Sequence, residues 1–416
     1  MENQSFKIKK IYIWLFLTAI IIKLLLLVLP GHYGDLFLHQ EWGNFLINHS
    51  PLEIYNQTAC NLPPFWVYIL WFFSNLHHLL TQHSVSIISE SLKMPAVLAD
   101  IAIGLIIFYF LIKNGLKEKI AFIASLLFLL NPFVVYNSSV WGQLDSIYTL
   151  FALLAFISLH QKKPYLGSTF LALSLMTKLQ GVIFVPLFFF LILKKYPLKK
   201  ILLSIFFFLM TLTLILLPFI IGRGSLGLVF QKTWLTSWNQ DHFVSLNSFN
   251  FWWLPQLFFF NALYSDLYLT NIPLLSNQGA LLGLITLKNL GLLFFSFFYF
   301  LILLKNKKNI FILASLAAFN FFMTPTAIHE RYIFPFFAFF SIFWALAWAK
   351  QKKYLWLYLL TSLTCFLNLV FAIIVDTTVE IRPLVFVLSP FLALINISIF
   401  IYLFFDLLKN KKEMTL

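Results

Sequence analysis

The chain is 416 residues long, 61% hydrophobic and only 11% charged, with a formal net charge of +14. A soluble fold cannot bury that much apolar surface, whereas a bilayer accepts it on the outer faces of helices; a β-barrel would instead need segments of about 10 residues that alternate polar with apolar. Nor does the positive charge mark nucleic-acid binding, because most of the 29 Lys and Arg sit in short clusters between apolar runs.

Those clusters are Lys7/Lys9/Lys10, Lys113/Lys117/Lys119, Lys162/Lys163, Lys194/Lys195/Lys199/Lys200, Lys305/Lys307/Lys308, Lys350/Lys352/Lys353 and Lys409/Lys411/Lys412. They form the positive-inside pattern of cytoplasmic loops. The predicted spans follow from keeping every cluster on that side. The first covers about 11–30. No small-residue cleavage site follows Pro30, so it reads as a retained helix. An outer segment over about 31–92 leads to a return span at about 93–112. Pairs follow at about 119–136 and 143–160, 164–177 and 180–194, and 200–220 and 279–304. The last four are at about 309–326, 332–349, 354–375 and 385–405. The expectation is an all-α polytopic membrane protein of about twelve spans, one domain over 1–416, with both termini cytoplasmic.

Two apolar stretches are not assigned as spans. Residues 63–80, PPFWVYILWFFSNLHHLL, would invert the sidedness of every later Lys cluster if they crossed. They are predicted to form an interfacial or re-entrant helix, and so is the stretch around 251–264 within a second large outer segment of about 221–278. The histidines His77, His78 and His83 lack carboxylates at ligand spacing, so an interfacial helix is preferred there over a metal site. Cys60 and Cys365 are far apart and imply no disulfide framework.

Ten of the 15 acidic residues fall on the predicted outer side: Asp35, Glu41, Glu53, Glu90, Asp145, Asp241, Asp266, Glu330, Asp376 and Glu380. Chemistry is therefore expected there. Asp35, in GHYGDLFLHQEW, reads either as a general base at the mouth of a bundle or as a solvated loop acid. Asp100, in KMPAVLADIAIG, is intramembrane, and a structural interhelical bond is the preferred reading. Asp145 belongs to a polar island with Trp141, Gln143 and Ser146, in NPFVVYNSSVWGQLDSIYTL. Lys178, in LALSLMTKLQGVIFVPLFF, is a cation outside the basic clusters and suggests an anionic partner such as a lipid phosphate, against snorkelling to head groups. His329, Glu330 and Arg331, in FMTPTAIHERYIFPF, are predicted to open a helix. Arg can grip a phosphate there in bidentate fashion and the helix dipole favours an anion.

These segments occur in a fixed order: an acidic first outer loop, a Pro-Pro-aromatic segment, an Asp in the second span, then NPFVVYNSSVWGQLDS, MTKLQGVIFVPLFF, SLNSFNFWWL and HERYIFPF. In that order they resemble the GT-C membrane glycosyltransferases, most closely the prokaryotic relatives of the second mannosyltransferase of GPI-anchor synthesis, over about residues 30–340. The resemblance implies a GT-C-like bundle whose outer loops contain interfacial helices. It implies an inverting transfer of a monosaccharide, mannose favoured, from a polyprenyl-phosphate carrier to a hydroxyl of a glycan, lipid or protein on the extracytoplasmic face. By motif position Asp35 would be the base, with Lys178, His329 and Arg331 on the donor phosphate. Glu41, Asp100, Gln143, Asp145, Gln180 and Glu330 would support them. Many members carry two adjacent acids where this chain has Gly34 and Asp35; Glu41 is the other acid in reach by sequence. A divalent cation, Mg or Mn, stays open as cofactor, with no residue assigned as a metal ligand. The membrane would be the plasma membrane of a prokaryote or the ER of a eukaryote. A transporter or lipid flippase, and a non-catalytic subunit of the same fold, are the competing readings.

Overall fold

The computed structural model describes residues 10–81, 86–222, 225–236, 242–257, 276–278, 280–281, 285–304, 309–347, 352–377 and 382–409. Asp241, Asp266, Glu380, His83 and the basic residues at 7, 9, 305, 307, 308, 350, 411 and 412 lie outside the described residues, as do 258–264 of the expected second interfacial helix.

Helix α1 (Lys10–Leu25) tightens into a 3-10 turn, Leu26–Val28, and stops before Pro30, whose ring cannot continue it. The first outer segment is itself helical. Its parts are α2 (Tyr33–Asn48), α3 (Ile54–Gln57) and α4 (Pro64–Leu80). α4 buries Trp66, Val67, Leu70, Ser74 and His77 and exposes Trp71 and Phe72. That two-faced pattern suits a helix lying at an interface. His77 is held by Ser91 Oγ at 2.9 Å and the Ser86 carbonyl at 3.2 Å. Next come α5 (Ser89–Lys113), α6 (Glu118–Leu129), α7 (Pro132–Val135), α8 (Asp145–His160) and α9 (Pro164–Thr177). A 3-10 turn, Leu179–Phe184, leads into α10 (Val185–Lys195). α11 (Leu198–Ile221) and α12 (Leu226–Phe230) follow. A two-residue antiparallel pair, β1 (Ala280–Leu281) with β2 (Ile285–Thr286), precedes α13 (Leu287–Leu304). The chain ends with α14 (Ile310–Met323), α15 (Phe334–Ala347), α16 (Lys352–Thr377) and α17 (Arg382–Lys409).

Among the described residues six helices are long and apolar enough to cross a bilayer: Lys10–Val28, Ser89–Lys113, Leu198–Ile221, Leu287–Leu304, Lys352–Ile373 and Val387–Asp406. α6 and the stretch Pro132–Trp141, bent by 47°, make a seventh if taken as one. The fold is thus an all-α membrane bundle of six to seven such helices, against an expectation of about twelve. Part of the difference lies in the interior. α14 and α15 have 14 residues each, about 21 Å at 1.5 Å per residue, short of a hydrocarbon core about 30 Å thick. Nearly every residue of both is buried. They are apolar all round because they touch protein on every side, so the lipid does not set their length. α1, α11 and α13 are mostly exposed and present their apolar faces outward.

Lipid tails are as apolar as leucine, so helices here associate through close packing and hydrogen bonds. Gly167 on α9 lets that helix approach the Ala155 carbonyl of α8; a Cβ there would sit 2.8 Å from it. Ser125 Oγ donates to the Gly104 carbonyl at 2.6 Å, joining α5 to α6. Phenylalanine fills the centre, with Phe319, Phe322, Phe334, Phe337 and Phe339 wholly buried.

The helix links sort to two ends. His160 bonds Asn114 at 3.2 Å and Tyr196 bonds the Leu159 carbonyl at 3.3 Å. These contacts gather the links that carry Lys113, Lys162 and Lys195 at one end. The polar links gather at the other.

Candidate functional site

Three segments converge at that second end. The first is the turn from α1 into α2. The second is the Tyr136–Trp141 turn, whose i→i+5 bonding widens the helix as π-helical turns often do at functional sites. Gly31 lets the two meet, because a Cβ on it would lie 2.8 Å from the carbonyls of Val140 and Trp141. Gly142 ends the π-helical turn at φ +90°, a conformation that favours glycine. His32 then caps α2, its Nδ1 accepting from the Asp35 amide at 3.2 Å.

This geometry aims Asp35 at a donor pair. Its Oδ2 accepts from Trp141 Nε1 at 2.8 Å and from Gln143 Nε2 at 2.5 Å, and His32 Nδ1 lies 3.2 Å away. The His32 ring stacks on Trp141, 4.9 Å between centroids. Asp35 is therefore not a loose loop acid.

Beneath it lies a buried ion pair. Lys178, at the break after α9, donates to Asp145 Oδ1 at 2.7 Å. Asp145 heads α8 with no exposure, and Asn137 Nδ2 reaches its other oxygen at 3.5 Å. The Lys178 side chain is 7% exposed, so it ends inside the protein and does not snorkel. Its ammonium lies 5.2 Å from the Tyr332 ring centre, and the Arg331 guanidinium lies 5.9 Å from the same ring. Arg331 also sits 5.8 Å over Trp141.

The third segment is the 324–333 link between α14 and α15. His329, Glu330 and Arg331 lie in a turn just ahead of α15, which begins at Phe334, close to the expected start at about 332. Arg331 donates to Glu330 Oε1 at 2.7 Å, and His329 is 3.8 Å from the other oxygen. Glu330 is buried, and the Arg331 side chain is only 12% exposed. Arg331 Nε is buried and has no hydrogen-bond partner among the described residues; neither has Gln180 Oε1.

A belt of chain, 242–257, irregular up to a turn at 251–252 and helical over 253–257, holds this link in place. The Leu246 amide and Ser248 Oγ bond the Ile328 carbonyl at 3.0 and 2.7 Å, and Trp252 Nε1 bonds the Thr324 carbonyl at 2.7 Å. α16 and α17 anchor the belt in turn. Asn368 accepts from the Phe249 amide and donates to the Asn247 carbonyl, at 2.9 and 2.6 Å, while Asn396 donates to the Phe249 carbonyl at 3.0 Å. Trp252 and Trp253 are buried. The described part of the expected second interfacial helix is therefore packed inside, because its aromatics cover the belt's hydrogen bonds.

Burial alone would raise Asp35, but the nearby Arg331 charge, the adjacent His32 ring and the bond from Trp141 outweigh it and hold the carboxyl far below its ordinary range. Burial would raise Glu330 too, yet Arg331 and His329 bring it down to about 2. Burial pushes His39 down to about 4, with the Asp35 charge opposing it. Lys178 is lowered by burial, against the pull of Asp145. The mouth of the site is formed by Asp35, His32 and His329, each side chain about a quarter exposed (27%, 24% and 28%).

The structure thus gathers Asp35, Gln143, Asp145, Lys178, His329, Glu330 and Arg331. Asp100 is elsewhere: it pairs with Lys23 at 2.7 Å, both fully buried, as an interhelical bond between α5 and α1. Glu41 is exposed on α2, six residues beyond Asp35 and therefore on a different face. It does not stand in for the missing second acid. No group of three His, Cys, Asp or Glu is spaced to hold a metal among the described residues. Cys60 and Cys365 are free and buried. His32, His39 and Tyr332 join the site without having been singled out from sequence. His39 stands one helical turn after Asp35, and that i,i+4 spacing is the signal that could have found it. Comparison with known proteins adds no family: no family model matches the chain, and no curated protein matches it.

Proposed function

We propose that this protein is a GT-C-like inverting glycosyltransferase. It would move a monosaccharide, mannose favoured, from a polyprenyl-phosphate carrier to an acceptor hydroxyl on the extracytoplasmic face. The observation that carries this reading is a partly exposed carboxylate, Asp35, held by two side-chain donors beside two largely enclosed cations that share the Tyr332 ring.

In the proposed reaction the acceptor oxygen attacks the anomeric carbon. The bond from that carbon to the phosphate oxygen breaks, and its electron pair leaves with polyprenyl phosphate. The hydroxyl proton passes to Asp35. Arg331 and Lys178 offset the charge that grows on the phosphate, in a water-poor site where such charges count most. Arg331 Nε has a hydrogen to offer. A phosphate that draws the guanidinium toward itself also relieves Asp35 of the charge that depresses it, so donor binding makes Asp35 a stronger base. The phosphate would lie near the membrane surface because its chain is buried in lipid. Cytoplasmic Lys links, both termini inside and about twelve passes, counting the short interior helices, belong to the same proposal.

The test is mass spectrometry of lipid-linked and surface glycans from cells carrying wild type, Asp35→Asn or no protein. The expected result is one glycan that lacks a single hexose in the last two and is complete in the first. Identical glycans in all three would remove the reading. Transport is the rival that a specific observation favours, since Lys23–Asp100 and Lys178–Asp145 are both buried ion pairs of the kind that transport pathways use. Flux of a labelled solute into liposomes that contain no lipid-linked sugar would select it.

A further inference from the structure

Lys93 has no place in the proposed chemistry, yet it is wholly buried. It lies near the start of α5, away from the basic clusters, where the helix dipole disfavours a cation. A buried ammonium costs several kcal/mol unless it is well bonded. Its partners explain it. Lys93 Nζ donates to the Leu27 carbonyl at 3.1 Å and to the Leu29 carbonyl at 2.5 Å. These are carbonyls at the end of the first span, where a helix leaves acceptors unpaired and carries negative dipole charge. Two residues later comes Gly31, and four beyond that Asp35.

The stem of Lys93 touches the opposite side of the same junction. A Cβ on Gly142 would lie 3.0 Å from Lys93 Cγ and 2.8 Å from Leu36 Cδ2. Gly142 stands between Trp141 and Gln143, the two side-chain donors to Asp35. One side chain therefore binds the segment that carries the carboxylate and supports the turn that carries its donors. Gly31 closes the triangle against the Val140 and Trp141 carbonyls.

We propose that Lys93 is a positioning residue. By fastening the Leu27 and Leu29 carbonyls against the Gly142 turn, it sets the register between Asp35 and the Trp141–Gln143 donor pair. Its consequence for sugar transfer rests on the glycosyltransferase reading; its consequence for Asp35 does not. The groups that face Asp35 are His32 and His39 on its own segment, Trp141 and Gln143 from the π-helical turn, Lys178 from the α9 break and Arg331 from the 324–333 link.

The experiment uses the full chain purified in detergent. Infrared difference spectra against Asp35→Asn identify the Asp35 carboxylate, and its protonation is followed as the pH is lowered. In wild type the carboxylate should persist below the ordinary aspartate value of about 4. In Lys93→Met, which keeps the stem and loses the donors, its two hydrogen bonds loosen and protonation should move up by at least about one pH unit. Lys93→Arg, which keeps donors for both carbonyls, should restore the wild-type titration. If Lys93→Met does not give folded protein, Lys93→Gln, with a shorter donor, carries the same test and should shift in the same direction. A folded variant whose Asp35 titrates as in wild type overturns the inference. In transfer assays Lys93→Met should lower kcat by roughly a hundredfold with the donor KM unchanged, the loss expected of a small misplacement. If wild type turns over no polyprenyl-phosphate sugar, the transfer reading fails, and the titration still decides the role of Lys93.

Discussion

Asp35 combines features that pull in opposite directions. A general base works best with a pKa near the working pH, yet Arg331, His32 and Trp141 keep this carboxylate strongly acidic. The arrangement fits a base that is weak at rest and strengthened by its substrate. Trp141→Phe and Gln143→Leu each remove one donor, so each should raise the Asp35 pKa; the double variant also leaves the carboxylate unaimed, and that loss of positioning should outweigh the gain in basicity and cut transfer by about 10- to 100-fold. An unchanged rate in the double variant would show that the donors do not serve the chemistry. Glu330 makes a separate prediction. Its stabilising contribution is complete above the ordinary glutamate value of 4.5 and is lost as the pH falls through about 2. Glu330→Gln should therefore destabilise the protein by about 3 kcal/mol, as loss of one member of a buried pair does. Thermal unfolding should show the same loss at pH 8 and at pH 5 and a much smaller one near pH 3; a loss that stayed the same near pH 3 would mean the carboxylate titrates normally. At this scale much was legible in the sequence. Charged residues outside the Lys clusters were rare enough to single out Asp35, Lys178 and the 329–331 run, and these do converge. What the sequence did not carry was pairing. Nothing in the spacing of Asp145 and Lys178 says that they bond across 33 residues, or that Glu41 turns away.

Among the elements, the belt at 242–257 has the greatest influence on the site for the least chemistry. It contributes no charge near Asp35, but it fixes the carbonyls of the link that bears Arg331. Its own anchors are Asn368 on α16 and Asn396 on α17, two helices that lie beyond the motifs of the glycosyltransferase resemblance. Asn368→Ala leaves the buried Phe249 amide without a partner, at a cost of about 1–3 kcal/mol, and frees the part-buried Asn247 carbonyl. We expect weaker donor binding from this variant although it lies outside the site. A donor affinity equal to wild type, measured on folded protein, would detach the belt from function. The element boundaries were read well from charge punctuation where a helix meets lipid. For α14 and α15 the apolar run was less informative, since it cannot by itself distinguish a lipid neighbour from a protein one, and each helix has only 14 residues.

The whole molecule separates its charges by end. The links that carry Lys113, Lys162 and Lys195 share one end through the Asn114, His160 and Tyr196 contacts, and the polar links meet at the other. Sidedness follows if the basic end is cytoplasmic. Both native cysteines are buried, which leaves a clean background for labelling. Lys163→Cys should resist a membrane-impermeant maleimide in intact cells, and Ser50→Cys should react. The reverse pattern would place the site on the cytoplasmic side and remove an extracytoplasmic acceptor. The central claim is the transfer itself, and one measurement meets it most directly. Protein reconstituted in liposomes is supplied with a polyprenyl-phosphate hexose bearing a radiolabelled sugar and a lipid extract as acceptor, and the label is followed through a single turnover. Wild type should move the sugar with inversion at its anomeric carbon, and Asp35→Asn, folded and inserted to the same extent, should move none. Equal transfer by both proteins, or retention of configuration in the product, would contradict the role of Asp35 as the base.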